Sequence, residues 1–547
     1  MGRGWVERAV GRFGGNVLGE GGEYETLVVD GPDGVWRGRI EIGREERRVV
    51  RGGGGEAWMN VGLGRVVEKV GNRDGVIDRW MERLRMPGLW DGRFGGLVDG
   101  VEEKGDEVEK EKEGGHAGRN ECGDWAIRRS IVRSKSTLVI SNMTSTDADS
   151  DAESQMTQIS TDLLTLLHTH DRATNDIVFT TILLCSMSDF AKINAIYGSL
   201  FTKPNPPARV TVACGDALPT GTKAMLSIIV DLGAKENRNG LHVQSRSYWA
   251  PANIGPYSQA ISVKAEEDSE ASLVFIAGQI PLIPASMEVL ISEGEEAAGD
   301  AMATFRQQTV LSLQHLWRIG IEREVTWWTG AVMLVVGEHD LQRKAVFAWA
   351  LWKEMHEVPQ IEDSASEDEL DGPDAWDKKY GGRGNFSNDE VMEHRLPDFQ
   401  TLIYPAGHGF VTPGFFTVQV DEIPRGCEVE WQSLGIAHGK VSMESCIIRG
   451  LDGARCSAAD GSFSVTYVGV PLADTGAISY GQVIRVLQSQ GRVGGEMGGS
   501  MLSVHATIYT PRPALFKDVE GQIIPCRRVW GPKGRKLAAG LVLMSRR

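Results

Sequence analysis

The sequence predicts an α+β, mixed α/β chain built from several domains. Three observations carry this. The chain is 547 residues long, which at typical domain sizes means about three or four domains. Strand-like and helix-like stretches alternate over 126–235 in the order β–α–β–α–β–β, which suits helices laid on one face of a sheet. The same plan returns over 244–436 with insertions.

Composition narrows the functional classes. The formal net charge of −16 argues against a generic nucleic-acid binder, which carries a basic face. Seven cysteines (122, 185, 214, 427, 446, 456, 526) are scattered, none in CxxC spacing and none clustered with His as a zinc site. Reduced thiols in a cytoplasmic protein are the simplest expectation. No run of 18 apolar residues occurs, so no membrane span is expected. No metal site is expected either: His168 and His170 stand at i, i+2 on a predicted helix and do not share a face.

Near the N-terminus, Gly19-Glu20-Gly21-Gly22-Glu23-Tyr24-Glu25-Thr26 leads into the apolar run Leu27–Val29, which Asp30-Gly31-Pro32 stops. This reads as a glycine-rich turn and a short strand. Glu23 and Glu25 alternate, so on a strand they would share a face. Residues 90–125 are rich in Gly, Glu and Lys and read as a disordered linker. In the first repeat, Ile127–Ile140 and Asp176–Met187 are strand material. Ala152–His170 carries Met156, Ile159, Leu163, Leu166 and Leu167 at helical spacing. Ser188–Phe201 is a second helix, and Arg209–Cys214 and Ala224–Asp231 are strands. In the second repeat, Asp300–Gly320 and His339–His356 are helices. Val325–Val336, Phe415–Val420 and Cys427–Leu434 are strands. The acidic insertion 357–400 reads as a loop. Trp327, Trp328, Trp349 and Trp352 are expected in the core and at interfaces. Over 437–547, strands are expected at Tyr467–Val470, His505–Tyr509 and Leu537–Met544, with a short helix at Gly481–Gln490. Segments 450–463 and 490–501 read as Gly/Ser-rich loops.

GEGGEYETLVVDGP, preceded by Arg12-Phe13-Gly14-Gly15-Asn16-Val17, resembles the signature near the end of the ATP-binding domain of the diphthine–ammonia ligase family. That family makes the last amide of diphthamide, the modified histidine of translation elongation factor 2. In its fungal members the ligase domain precedes two domains like the reactive-intermediate deaminases (Rid, or YjgF). SMSDFAKINAIYGSLF, Pro207-Ala208-Arg209 and Ala217-Leu218-Pro219 resemble Rid sequences, as do the stretches Ala250–Ala260 and Ala277–Pro281. Pro525-Cys526-Arg527 and WGPKGRKLAAGLVL resemble the C-terminal end of the fungal ligases.

The resemblance implies the tail of an ATP-pyrophosphatase-like α/β domain over 1–89, then the 90–125 linker. Two Rid/YjgF (chorismate mutase-like) α+β domains follow over 126–235 and 244–436. The extension 437–547 is expected to be at most a partial third unit. It also implies ATP and Mg as cofactors, and elongation factor 2 in its diphthine form and ammonium as partners. Glu20, Glu23, Glu25 and Thr26 would be catalytic, and Gly19, Gly21, Gly22, Tyr24 and Asp30 would bind substrate. The family's Ser-Gly-Gly-x-Asp-Ser phosphate loop does not occur in this sequence, so weak ATP binding is expected.

Rid deaminases grip a substrate carboxylate with the Arg of Pro-Ala-Arg and use a glutamate to handle water. Here Arg209 is present in the first repeat, but the glutamate position falls on Met225. In the second repeat Glu430 is present, but Pro413-Gly414-Phe415 replaces Pro-Ala-Arg. Two expectations stay open. The units pack so that Arg209 and Glu430 share a composite pocket walled by Tyr257 and Gln279, or both are scaffold. A Rid-type enamine/imine deaminase and a non-catalytic assembly module are the alternatives to the ligase reading.

Overall fold

The structure is a computed structural model. It describes residues 89–91, 93, 94, 97, 125, 127–291, 302–357, 396–404, 410–448, 450–472, 504–516 and 519–547, together with the backbone of six strands between 16 and 70. Those six are β1 (Asn16–Gly19), β2 (Tyr24–Gly31), β3 (Gly34–Ile42), β4 (Arg47–Gly52), β5 (Gly55–Asn60) and β6 (Arg65–Val70). They pair as an antiparallel meander in chain order. Gly52 at the end of β4 pairs with Gly55 at the start of β5.

The first repeat contains β7 (Ser130–Arg133), β8 (Thr137–Thr144), α1 (Ala152–Thr169), β9 (Ile177–Leu184), α2 (Phe190–Ser199), β10 (Ala208–Ala213) and β11 (Ala224–Asp231). Helix α1 starts because Asp151 caps it, accepting from the Ser154 N–H at 2.8 Å. Its buried stripe is Met156, Ile159, Leu163 and Leu167, at steps of three and four residues. Each such fully buried side chain contributes about 1.5–3 kcal/mol. Thr157, Thr161, Thr165 and Thr169 line the opposite, exposed face, each hydroxyl donating to the carbonyl four residues back.

The second repeat contains β12 (Asn239–Leu241), β13 (Ala260–Lys264), β14 (Ser272–Ile276), α3 (Ala303–Glu322), β15 (Val325–Val335), α4 (Leu341–Met355), β16 (Leu402–Ile403), β17 (Gly414–Gln419) and β18 (Val429–Ala437). The C-terminal part contains β19 (Val441–Ile448), β20 (Leu451–Ala458), β21 (Phe463–Pro471), β22 (Val504–Thr510), β23 (Gln522–Pro525), β24 (Arg528–Trp530) and β25 (Lys536–Arg546).

One strand order occurs three times: β7-β8-β11-β9-β10, then β13-β14-β18-β15-β17, then β20-β21-β25-β22-β23. Each copy has one parallel pair at its end, β9/β10, β15/β17 and β22/β23. The C-terminal part is therefore a third full set of strands, where only a partial unit is expected from the sequence. Its second helix is reduced to the turn Pro513–Phe516. The predicted loop 450–463 is largely strand β20. Gly453 sits there because a Cβ would come 2.8 Å from the Tyr467 carbonyl oxygen. The predicted helix 481–490 lies outside the described residues.

The three units close on one another. Strand β24 bridges β17 and β25, fusing the second and third sheets. Arg527 of the third unit pairs at 2.6 Å with Asp421 of the second and with Asp216 of the first. Arg546, next to last in the chain, pairs at 2.7 Å with Asp231 of the first unit, both nearly fully buried.

Two boundaries differ from those read in the sequence. The 90–125 stretch does not begin as free linker. Asp91 forms a two-pronged pair with Arg318 at 2.6 and 2.7 Å, and Phe94 and Leu97 are buried against α3. This cover explains why α3 is buried on nearly all sides. The 357–400 insertion ends inside the fold: the Leu396 carbonyl accepts from the Trp317 indole at 3.0 Å, and Phe399 stacks edge-on to Trp327. Trp327, Trp328 and Trp352 are fully buried and Trp349 packs beside them, as aromatic core.

Candidate functional site

Strand pairing fixes which residues of the three units are equivalent. Ile229 opposes Phe179 and Val139, Leu434 opposes Phe275, and Val542 opposes Thr507 and Tyr467. Counting from these anchors, Arg209, Phe415 and Ile523 occupy one position. Met225, Glu430 and Ala538 occupy another, and Asn142, Gly278 and Val470 a third. Each junction between units brings the first position of one unit against the other two of the next.

Only at the junction of the first and second units do these three positions hold a cation, a carboxyl group and a glycine. Arg209 is the second residue of β10, and its carbonyl accepts from the Gly278 N–H at 3.1 Å. Glu430 is the second residue of β18 and is 3 % exposed. Gln279 exchanges both backbone hydrogen bonds with Trp431, at 2.8 and 2.9 Å, which locks the Gly278 turn to β18. A Cβ on Gly278 would lie 1.6 Å from Glu430 Oε1, and a Cβ on Gly255 would lie 2.6 Å from Arg209 Nη2. Both glycines therefore give the space that the two charged side chains occupy.

The Arg209 guanidinium sits over three rings, at 5.0 Å from Tyr197, 5.3 Å from Tyr257 and 5.7 Å from Phe190. Tyr197 is held by its hydroxyl, which donates to Thr180 Oγ1 at 2.9 Å. Tyr257 accepts from the Ile254 N–H at 3.4 Å. Gln279 donates from Nε2 to the Ala277 carbonyl at 2.8 Å, so its side chain stiffens the loop.

Burial dominates the electrostatics. Desolvation pushes the Glu430 carboxyl up to about 8, although Arg209 opposes the rise. Desolvation also lowers Arg209, against the pull of Tyr197, Tyr257 and Glu430. The two groups feel each other, yet Arg209 Nη1 and Glu430 Oε2 are each buried without a hydrogen-bond partner among the described residues. At neutral pH this is a buried cation facing a neutral carboxyl group, two polar groups that a third party could satisfy. Burial likewise raises Tyr257 and pushes the Tyr197 phenol up to about 12. Cys427, pushed up to about 12 mainly by burial, and Arg425, at φ 65°, stand near Glu430 and were not singled out from the sequence.

The other two junctions are filled. Between the third and first units, Asn142 stands where Gly278 does. Its Nδ2 donates to the Gly521 carbonyl at 2.8 Å and its Oδ1 accepts from the Ile523 N–H at 3.0 Å. Between the second and third units the positions hold Phe415, Val470 and Ala538, and Tyr467 packs onto Gly414, where a Cβ would come within 2.3 Å of the Tyr467 Cβ.

The N-terminal candidates are not brought to this junction by any described contact. Gly19 ends β1 and pairs with Glu25 on β2, while Tyr24, Thr26 and Asp30 also lie on β2. Their side chains, and Glu20, Gly21, Gly22 and Glu23 altogether, lie outside the described residues. Among the described residues, no group of three or more His, Cys, Asp and Glu side chains could hold a metal, and no helix is long and apolar enough to cross a membrane.

Comparison with known proteins places these observations. Among solved structures, a Rid-family protein from Yersinia pestis is 25% identical, covering 19% of this chain and 86% of that one, with a TM-score of 0.18. RidA from an Antarctic Psychrobacter is 23% identical over 19% and 86% of the two chains, also at 0.18. Two curated proteins, both named diphthine–ammonia ligase, are similar in sequence. The one from Saccharomyces cerevisiae is 31% identical over 310 residues, 55% of this chain and 41% of the relative. The one from Schizosaccharomyces pombe is 32% identical over 282 residues, 50% of this chain and 42% of the relative. The chain thus spans about two fifths of the length of the curated relatives it matches. The chain is similar over half its length to proteins named diphthine–ammonia ligase, and its residues 129–229 match the endoribonuclease L-PSP family.

Proposed function

We propose that this chain carries part of an ATP-dependent diphthine–ammonia ligase, which turns the diphthine carboxylate of elongation factor 2 into the diphthamide amide. The observation that carries this is the identity of 31% and 32% to two relatives that share that name. On this reading ATP supplies the driving force with Mg, and ammonium supplies the nitrogen. Glu20, Glu23, Glu25 and Thr26, with Gly19, Gly21, Gly22, Tyr24 and Asp30, would line the cleft. A chimera tests it. The stretch of the S. cerevisiae ligase that aligns with this chain is replaced by the corresponding residues of this chain, in yeast lacking its own ligase. Mass spectrometry of elongation factor 2 should then find diphthamide. A folded, expressed chimera that leaves only diphthine would contradict the proposal.

One observation favours a second activity in the same chain: Arg209 and Glu430 interact electrostatically at one junction, and each leaves a buried polar atom without a partner among the described residues. A small carboxylate-bearing ligand fits this chemistry. Arg209 would grip its carboxylate with two parallel N–H donors. Glu430, half-protonated near pH 8, could exchange a proton with a water attacking an imine carbon. Tyr257 and Gln279 would form the wall.

A further inference from the structure

A separate cavity of about 90 Å³ lies where the three units converge. Two sets of equivalent positions line it, Ile229, Leu434 and Val542, and Thr181, Val332 and Tyr509. It therefore sits on the pseudo-threefold axis, while Arg209 and Glu430 lie off that axis at one junction. A space of this size admits several waters or one molecule of a few heavy atoms.

The lining is uncharged: among the described residues that form it there is no Asp, Glu, Lys or Arg. Any ion entering would lose its hydration with no opposite charge to replace it. The third unit breaks the symmetry with a polar triad. The Thr507 hydroxyl lies 3.4 Å from Gln522 Oε1 and 3.4 Å from His505 Nε2. With Gln522 Oε1 accepting the single hydroxyl proton, His505 Nε2 is assigned as the donor to Thr507. The imidazole is neutral, since burial lowers it to about 4. Its other nitrogen, Nδ1, is then a bare acceptor, and Gln522 Nε2 is a free donor. Both atoms are buried without a partner among the described residues, on side chains 5 % and 6 % exposed that line the cavity.

We infer that this axial cavity is a binding site for one small uncharged molecule carrying an adjacent donor and acceptor, of the primary-amide class. Its N–H would donate to His505 Nδ1 and its carbonyl oxygen would accept from Gln522 Nε2, with the methyl-sized remainder against Ile229, Leu434 and Val542.

The test uses the whole chain, acetamide as probe and acetone as its near-isostere without a donor. Titration calorimetry should show saturable acetamide binding at about 1 mM or tighter, within the limit for so few atoms, and acetone at least tenfold weaker. His505→Phe and Gln522→Met should each weaken acetamide at least tenfold. Unsaturable acetamide heats, or acetone binding as well as acetamide, would overturn the inference without need of any variant. Equal acetamide affinity in folded His505→Phe and Gln522→Met would overturn it as well.

Discussion

Replacing Glu430 by Gln should change how stability depends on pH, with a sign and size set by its surroundings. Burial holds the Glu430 carboxyl at about 8 in the folded chain, against an ordinary 4.5 when exposed. Between these values the folded chain binds one proton more than the unfolded chain. Stability from this group is therefore fully present below pH 4.5 and is lost as pH rises toward 8. The slope is about −1.4 kcal/mol per pH unit, or roughly 4 kcal/mol between pH 5 and pH 8. Gln keeps the shape and neutrality of the protonated acid but cannot ionise. Urea unfolding of both proteins at pH 5, 6, 7 and 8 isolates the effect, because every other titrating group cancels in the difference. The wild type should fall relative to Glu430→Gln by roughly 4 kcal/mol across that range. Parallel stability curves for the two proteins would refute the claim that Glu430 is a desolvated, neutral carboxyl group.

Other perturbations follow from the same geometry. Gly278→Ala pushes a methyl group into Glu430 Oε1, and should cost about 1–3 kcal/mol in thermal unfolding and abolish the proposed carboxylate binding at Arg209. Arg209→Met removes a cation that burial disfavours, so the melting temperature should hold or rise. The Glu430 carboxyl should then titrate higher still by carbon NMR, because Arg209 now holds it down. Arg546→Met strips Asp231 of a buried partner at the closure of the third unit onto the first, leaving Arg238 as its ion-pair partner among the described residues. Denaturant unfolding should show a loss of about 3 kcal/mol, and a loss below about 1 kcal/mol would show that this closure is not held by the pair.

The parts of the fold written as periodicity were legible in the sequence. The stripe Met156, Ile159, Leu163 and Leu167 announces α1, and Ala224–Asp231 reads as a strand and is β11. What was not legible depends on contacts distant in sequence. The third unit hides because its second helix has shrunk to Pro513–Phe516, and because Gly453 makes β20 read as loop. The docking of Asp91 and Phe94 is invisible in a stretch whose composition is that of a linker. At the junction, Arg209 was read from the Pro-Ala-Arg motif and Glu430 from the glutamate position of the second repeat. Nothing in the local sequence says that Gly278 makes room for a carboxyl group, or that Asn142 closes the equivalent space elsewhere. Those roles exist only once the units pack.

We propose one carboxylate site in the three packed units, at the junction where Arg209 of the first faces Glu430 of the second. Calorimetric titration of the whole chain with pyruvate, a minimal carboxylate probe, tests it most directly. Binding with a stoichiometry of about one per chain, lost in Arg209→Met, is the predicted result. No saturable binding, binding that survives Arg209→Met, or about three sites per chain would contradict it.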